Sequence, residues 1–194
     1  MSFIPVASGE LATVITSVEM RAVPKPQAPA RSALRLVRWT QPVDCESYRA
    51  LYRRIGEPWL WSGRILLDDA ALEKVLAPPT THVYAATRRD GAAVGLLELD
   101  FSVSRHCEIV YFGLVPDMVG KGHGRWLMAH ALRLAWAGGV ERVWLHTSSR
   151  DHPHALDFYT ASGVVAFERR VEIHPDPRVA GVYPRDAAPH IPLL

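Results

Sequence analysis

Residues 108–125, Glu-Ile-Val-Tyr-Phe-Gly-Leu-Val-Pro-Asp-Met-Val-Gly-Lys-Gly-His-Gly-Arg, constrain this chain more than any other segment. The apolar run over 107–115 reads as a strand, Pro116 to Lys121 as a loop, and the amphipathic pattern from Gly122 to Ala137 as a helix ended by Gly138 and Gly139. Gly120, Gly122 and Gly124 strip side chains from the junction, so backbone N–H groups can approach a ligand closely. The free N–H groups of the helix's first turn then face an anion, helped by the helix dipole. Each dipole contribution is only about 0.3–1 kcal/mol at an exposed site, so several converging donors are needed to hold a pyrophosphate. Lys121, His123 and Arg125 add positive or titratable groups beside them. Three spaced glycines also make sharp turns that bind nothing, so the surrounding chain has to decide.

Before this segment, residues 82–88 and 93–101 read as two strands joined at Asp90-Gly91, a strong hairpin signal. Leu34 to Trp39 can form an earlier strand. A helix follows, with Thr40 in the N-cap position, Tyr48, Leu51, Tyr52 and Ile55 at helical spacing, and Gly56 at its end. Residues 57–63 form a loop carrying Trp59 and Trp61, and a short helix from Asp68 is stopped by Pro78 and Pro79. After the glycine segment come a strand (140–147), a helix (153–162) and a long last strand (164–173). Several strands followed by strand–helix–strand–helix–strand imply an α/β fold of the α+β type. Its mixed, mostly antiparallel sheet has six to seven strands, and helices cover both faces. The expected organisation is an N-terminal extension over 1–32, a main domain over 33–175 and an irregular tail over 176–194. The extension holds an alternating strand over 9–22 and then a linker interrupted by Pro24, Pro26 and Pro29.

Three phosphate motifs compete for the glycine loop. A P-loop needs Lys-Ser or Lys-Thr after its last glycine, whereas Lys121 precedes Gly122. A dinucleotide fingerprint would need glycine at 125 or 127, which are Arg125 and Leu127, and it normally opens a parallel doubly wound sheet. The third is Arg/Gln-x-x-Gly-x-Gly/Ala, the acetyl-CoA loop of the GNAT superfamily, whose glycines Gly122 and Gly124 match. Glu-Ile-Val-Tyr at 108–111 and the helix beginning Gly124-Arg-Trp-Leu-Met resemble that family's acetyl-CoA motif. Ala155-Leu-Asp-Phe-Tyr159-Thr-Ala-Ser-Gly163 resembles its second signature, Ala-x-x-x-Tyr-x-x-x-Gly-Phe. Two positions depart from the pattern. Val119 stands where the family prefers Arg or Gln, with Lys121 as a partial replacement. His152 stands where many members carry an asparagine that contacts the cofactor arm.

The resemblance implies an N-acetyltransferase that uses acetyl-CoA and no metal. The acceptor would be a primary amine of a small molecule or peptide, attacking directly in a ternary complex. It implies cofactor contacts from Leu114, through its amide, and from Val119, Gly120, Lys121, Gly122, His123, Gly124, Arg125 and His152. Tyr159 would donate to the coenzyme sulfur. A phenol of pKa about 10 can protonate a departing thiolate of pKa about 8.5. A lysine-like amine of pKa about 10.4 must itself lose a proton, and Glu108 is the leading base. His146, Glu98 and Asp100 are rivals, and ordered water is another. Glu98 and His146 are also candidates for the substrate side, where Trp59 and Trp61 can wall an apolar or cationic acceptor. A non-catalytic acyl-CoA-binding or protein-interaction module is the alternative that Val119 motivates.

A net charge of +2 without a Lys/Arg block argues against a nucleic-acid partner. No apolar stretch approaches the roughly 20 residues needed to span a bilayer. Two cysteines and the absence of a signal-like start favour the cytoplasm. His152-Pro153-His154 offers too few ligands for a metal site. A homodimer is left open, since many members of the family pair.

Overall fold

A computed structural model describes residues 3–24 and 30–194 of the chain. Pro26 and Pro29 of the expected linker lie outside the described residues. Seven strands form one sheet: β1 (Glu10–Met20), β2 (Arg35–Arg38), β3 (Thr81–Thr87), β4 (Ala93–Asp100), β5 (His106–Leu114), β6 (Arg142–Ser148) and β7 (Val165–Pro175). Four α-helices accompany them: α1 (Cys45–Gly56), α2 (Asp69–Leu76), α3 (His123–Ala135) and α4 (Ala155–Ala161). The strand order is β2-β3-β4-β5-β6-β1-β7, and among the described residues only the β5–β6 contact is parallel.

Adjacent residues of β5 show that helices cover both faces. Tyr111 packs edge-on against Tyr52 of α1, with ring centres 4.9 Å apart. Phe112 points to the opposite face, as strand alternation requires, and meets Phe158 and Tyr159 of α4 at 5.8 and 6.0 Å. A Cβ on Gly124 of α3 would lie 3.6 Å from the Phe158 ring, so α3 and α4 share that second face.

α1 buries Tyr48, Leu51, Tyr52 and Ile55, the stripe read from the sequence. Burial of each such side chain contributes about 1.5–3 kcal/mol. The helix starts later than the sequence suggested: Asp44, not Thr40, is the N-cap, and its carboxylate accepts from Ser47 N–H at 2.9 Å. A cap at Thr40 would have required helical geometry at Gln41, which Pro42 disfavours in the residue before it. The C-terminal end is fixed sterically, because a Cβ on Gly56 would lie 2.4 Å from that of Trp61.

β1, read from the sequence as part of an extension, runs through the sheet between β6 and β7. It pairs Thr16 with Thr147 on one side and Val14 with Val171 on the other. Beyond β7 the chain is irregular but not loose. Asp176 and Arg178 are buried and joined at 2.7 Å. Tyr183, Ala187 and Ala188 form a second apolar cluster with Leu11 and Leu60. Among the described residues no helix is long and apolar enough to cross a membrane.

Candidate active site

The site opens where the sheet splits. Among the described residues only three pairs join β5 to β6: His106 with Arg142, Cys107 with Val143 and Glu108 with Trp144. Beyond Glu108 and Trp144 the two strands diverge, leaving a cleft of about 1120 Å³. Val115 N–H donates to Val94 O on the β4 side. Backbone groups alternate along a strand, so the Leu114 amide points the other way, into the opened edge.

The glycine loop forms the floor at one end. Gly120 and Gly122 have φ of 76° and 83°, a left-handed conformation that glycine adopts without strain. A Cβ at either would meet no atom within 4 Å, so the space above these peptides is open. α3 starts directly after Gly122 and has no side-chain cap, which leaves its first-turn N–H groups available. An open concavity, unused donors and the Arg125 guanidinium at its rim fit an anionic phosphate group.

Val119, Gly120, Gly122, Gly124, Arg125, Leu114 and His152 all line this cleft. Lys121 and His123 do not: Lys121 is exposed beside it, and His123 Nδ1 is hydrogen-bonded to Ser32 Oγ at 2.8 Å. Lys121 can therefore stand in for the charge missing at Val119 only by reaching across the rim.

Tyr159 reaches the cleft from α4, facing Phe112 and Phe158. Burial, reinforced by the negative charge of Asp151, pushes its hydroxyl pKa well above the ordinary phenol value. The group therefore stays protonated as a donor across the neutral range.

His146 lines the other side, with Nδ1 3.5 Å from Glu108 Oε1. The hydrogen bond to Glu108 raises the imidazole pKa against the effect of desolvation, and the charges of Glu108, Asp151 and Glu172 add to the rise. Glu108 and His146 are thus a contacting pair rather than separate rivals. Glu98 does not line the cleft. It is 1% exposed and accepts from Tyr48 Oη and from Arg64 Nη2 at 2.6 Å. Asp100 turns to its own neighbours, accepting from Ser102 N and Oγ at 2.8 Å.

Trp59 and Trp61 both line the cleft. Trp61 is also pinned, since its Nε1 donates to Asp151 Oδ1 at 3.0 Å, while Asp151 Oδ2 accepts from Thr147 Oγ1 and Ser148 N at 2.8 Å. Trp59 sits between the rings of His152 and His190, at 5.5 and 5.7 Å. Sequence reasoning missed Arg150 and Asp151. Their available signal was a charge pair placed directly after the β6 run, just before a helix. Among the described residues no group of three or more His, Cys, Asp or Glu side chains gathers to hold a metal.

A mixed sheet split at its one parallel junction, with a glycine-started helix at the split, defines an acetyltransferase fold. The profile of the acetyltransferase (GNAT) family matches residues 45–164, and the chain belongs to that family. No curated protein gives a sequence match. Among solved structures, a GCN5-related N-acetyltransferase from Sphaerobacter thermophilus superposes with a TM-score of 0.66 at 16% identity. That match covers 84% of this chain and 52% of the other, so this chain spans about half the length of that relative. The ribosomal-protein-S18-alanine N-acetyltransferase from Escherichia coli gives a TM-score of 0.53 at 14% identity, covering 74% of this chain and 94% of its own. A spermidine N-acetyltransferase chimera from Vibrio cholerae gives 0.57 at 19%, covering 71% and 83%. At these identities the likeness is one of fold.

Proposed function

We propose that this protein transfers an acetyl group from acetyl-CoA to a primary amine of a small molecule or peptide, by direct attack in a ternary complex. The observation that carries this reading is convergence. The glycine loop, the Leu114 amide, Tyr159 and, through His146, Glu108 all meet at one cleft made by the divergence of β5 and β6. Solved neighbours named for spermidine and for the alanine of a ribosomal protein support an amine as acceptor.

Acetyl-CoA supplies an acyl group activated as a thioester. The N–H groups around Gly120 and Gly122, the first turn of α3 and the Arg125 guanidinium hold its diphosphate. His152 borders the same cleft. The Leu114 amide is aimed where the acyl oxygen gains negative charge. His146, with Glu108 behind it, takes the proton of the incoming amine. Tyr159, kept neutral by burial, returns a proton to the departing sulfur. The reaction so written uses no metal, and we assign it to the cytoplasm.

A non-catalytic acyl-CoA-binding module is the alternative favoured by Val119, which brings no charge to the phosphate end. Tyr159 and the Glu108–His146 contact have no work to do in such a module. Calorimetry with acetyl-CoA, followed by thiol release with a panel of amines, tests the proposal. Heat of binding without thiol release selects the non-catalytic reading, and no heat at all removes both. Sedimentation velocity on the full chain decides between monomer and homodimer.

A further inference from the structure

Three successive carbonyls of the tryptophan loop are each held by a side chain from a distant part of the chain. Arg150 Nη1 donates to the carbonyls of Trp59 and Leu60, at 3.4 and 3.1 Å. Tyr183 Oη donates to that of Trp61 at 2.6 Å. The same guanidinium reaches β1, where its Nε donates to Thr13 Oγ1 at 2.7 Å. Between the held carbonyls, Leu60 adopts a left-handed φ of 54° and is fully buried, so the loop has one defined shape. Left-handed geometry at a leucine is strained, and it persists only where neighbouring contacts enforce it.

The element supplying Tyr183 is itself rigid. Arg178, buried against Asp176, donates to the carbonyls of Ala187 and Ile191 at 3.1 and 2.9 Å. Arg53 of α1 lies 5.2 Å over the Tyr183 ring and donates to the Val182 carbonyl. Thr13 and Tyr183 both fall outside residues 45–164, the span shared with the family. So do Ile15, His174, Pro177 and Ala180, which line the cleft along with Trp59 and Trp61.

We infer that Arg150 and Tyr183 are positioning residues that fix the tryptophan loop as the acceptor-side wall. Through Thr13, which holds Arg150, and through Tyr183, the two terminal segments then help set which amine the site accepts. This inference rests on the proposed acetyl transfer. A wall that orients an amine must be held within a fraction of an ångström, and rings on a loop keep such a position only through surrounding contacts. Loss of one neutral hydrogen bond loosens that wall by a factor of about three to ten in the affinity it supports.

The test uses the full chain, saturating acetyl-CoA, and spermidine, an aminoglycoside and an alanine-starting peptide as acceptors. Tyr183→Phe, which keeps the packed ring, raises KM for the preferred amine about three- to tenfold. Its kcat stays within about twofold, and acetyl-CoA affinity by calorimetry is unchanged. Arg150→Gln raises KM further, and Arg150→Lys recovers part of the loss. An amine KM that does not move in Tyr183→Phe overturns the inference, as does an equal loss of acetyl-CoA affinity. Wild-type protein that binds acetyl-CoA but acetylates no amine overturns the proposed transfer and this inference together. Wild-type activity with an unmoved Tyr183→Phe overturns the inference alone.

Discussion

The imidazole of His146 lies 3.5 Å from the Glu108 carboxylate, across the last paired step of β5 and β6. Glu108 raises the folded pKa of His146 above its ordinary value. For a group raised on folding, the stabilisation is complete below the unfolded imidazole value of about 6.5, and it is lost as pH rises through the folded value. Base activity runs the opposite way over the same window, because only neutral imidazole accepts the amine proton. The rising limb of kcat/KM therefore lies above pH of about 6.5. In Glu108→Gln the carboxylate's contributions go, while desolvation and the weaker effects of Asp151 and Glu172 remain, so the limb moves to lower pH while the plateau falls. A pH profile of both proteins checks this, and an unmoved limb removes His146 as the base.

Tyr159→Phe keeps the edge-to-face ring contacts with Phe112 and Phe158 and deletes only the hydroxyl. Turnover is expected to fall about 10²–10⁴-fold, the usual share of a general acid, with acetyl-CoA affinity nearly unchanged. Steady-state rates and calorimetry on the same preparation measure both quantities. Wild-type turnover in the variant takes Tyr159 out of the mechanism.

What the sequence revealed and what it hid divide along the range of the interactions involved. The glycine loop, the Asp90-Gly91 turn and the stripe of α1 are local patterns, and each appears in the fold within a few residues of its expected place. The alternation over 9–22 marked a strand but could not name its neighbours, since Thr16 finds Thr147 only after the whole sheet is laid out. The candidate site divides in the same way. Tyr159 and the glycines carry motif spacing. Glu98, an acid of the strand before Glu108, was indistinguishable from a cleft carboxylate until Tyr48 and Arg64 closed over it. Arg150 makes its contacts with residues about 90 and 137 positions away, beyond any pattern of spacing.

Gly122→Glu places a side chain and a negative charge in the space above the loop. A Cβ at this position would meet no atom within 4 Å, so the side chain can leave the backbone without a clash. The fold survives with a loss of about 1–2 kcal/mol from the φ of 83°. Acetyl-CoA binding is expected to disappear, because like charges oppose each other where the diphosphate sits. Thermal unfolding with and without acetyl-CoA separates the two effects: the variant melts slightly lower and gains nothing from the ligand. A ligand-induced shift equal to the wild type's would rule out the loop as the phosphate site.

Glu98 and Arg64 pair at 2.6 Å with side-chain exposures of 1% and 16%, and the Arg64 guanidinium lies 5.1 Å from the centre of the Tyr111 ring. Removing one partner of a buried pair strands the other charge, at a cost of about 3–5 kcal/mol. Glu98→Ala is therefore expected to lower stability by that amount, since Arg64 loses its carboxylate and Tyr48 its acceptor. Arg64→Met added to Glu98→Leu replaces the pair with apolar volume and recovers most of the loss. Urea unfolding of the wild type, Glu98→Leu, Arg64→Met and the double variant closes the cycle. A coupling near zero would mean that the guanidinium reaches water once Glu98 is gone. The buried pair would then contribute little net stability, its attraction being offset by the cost of desolvating both charges.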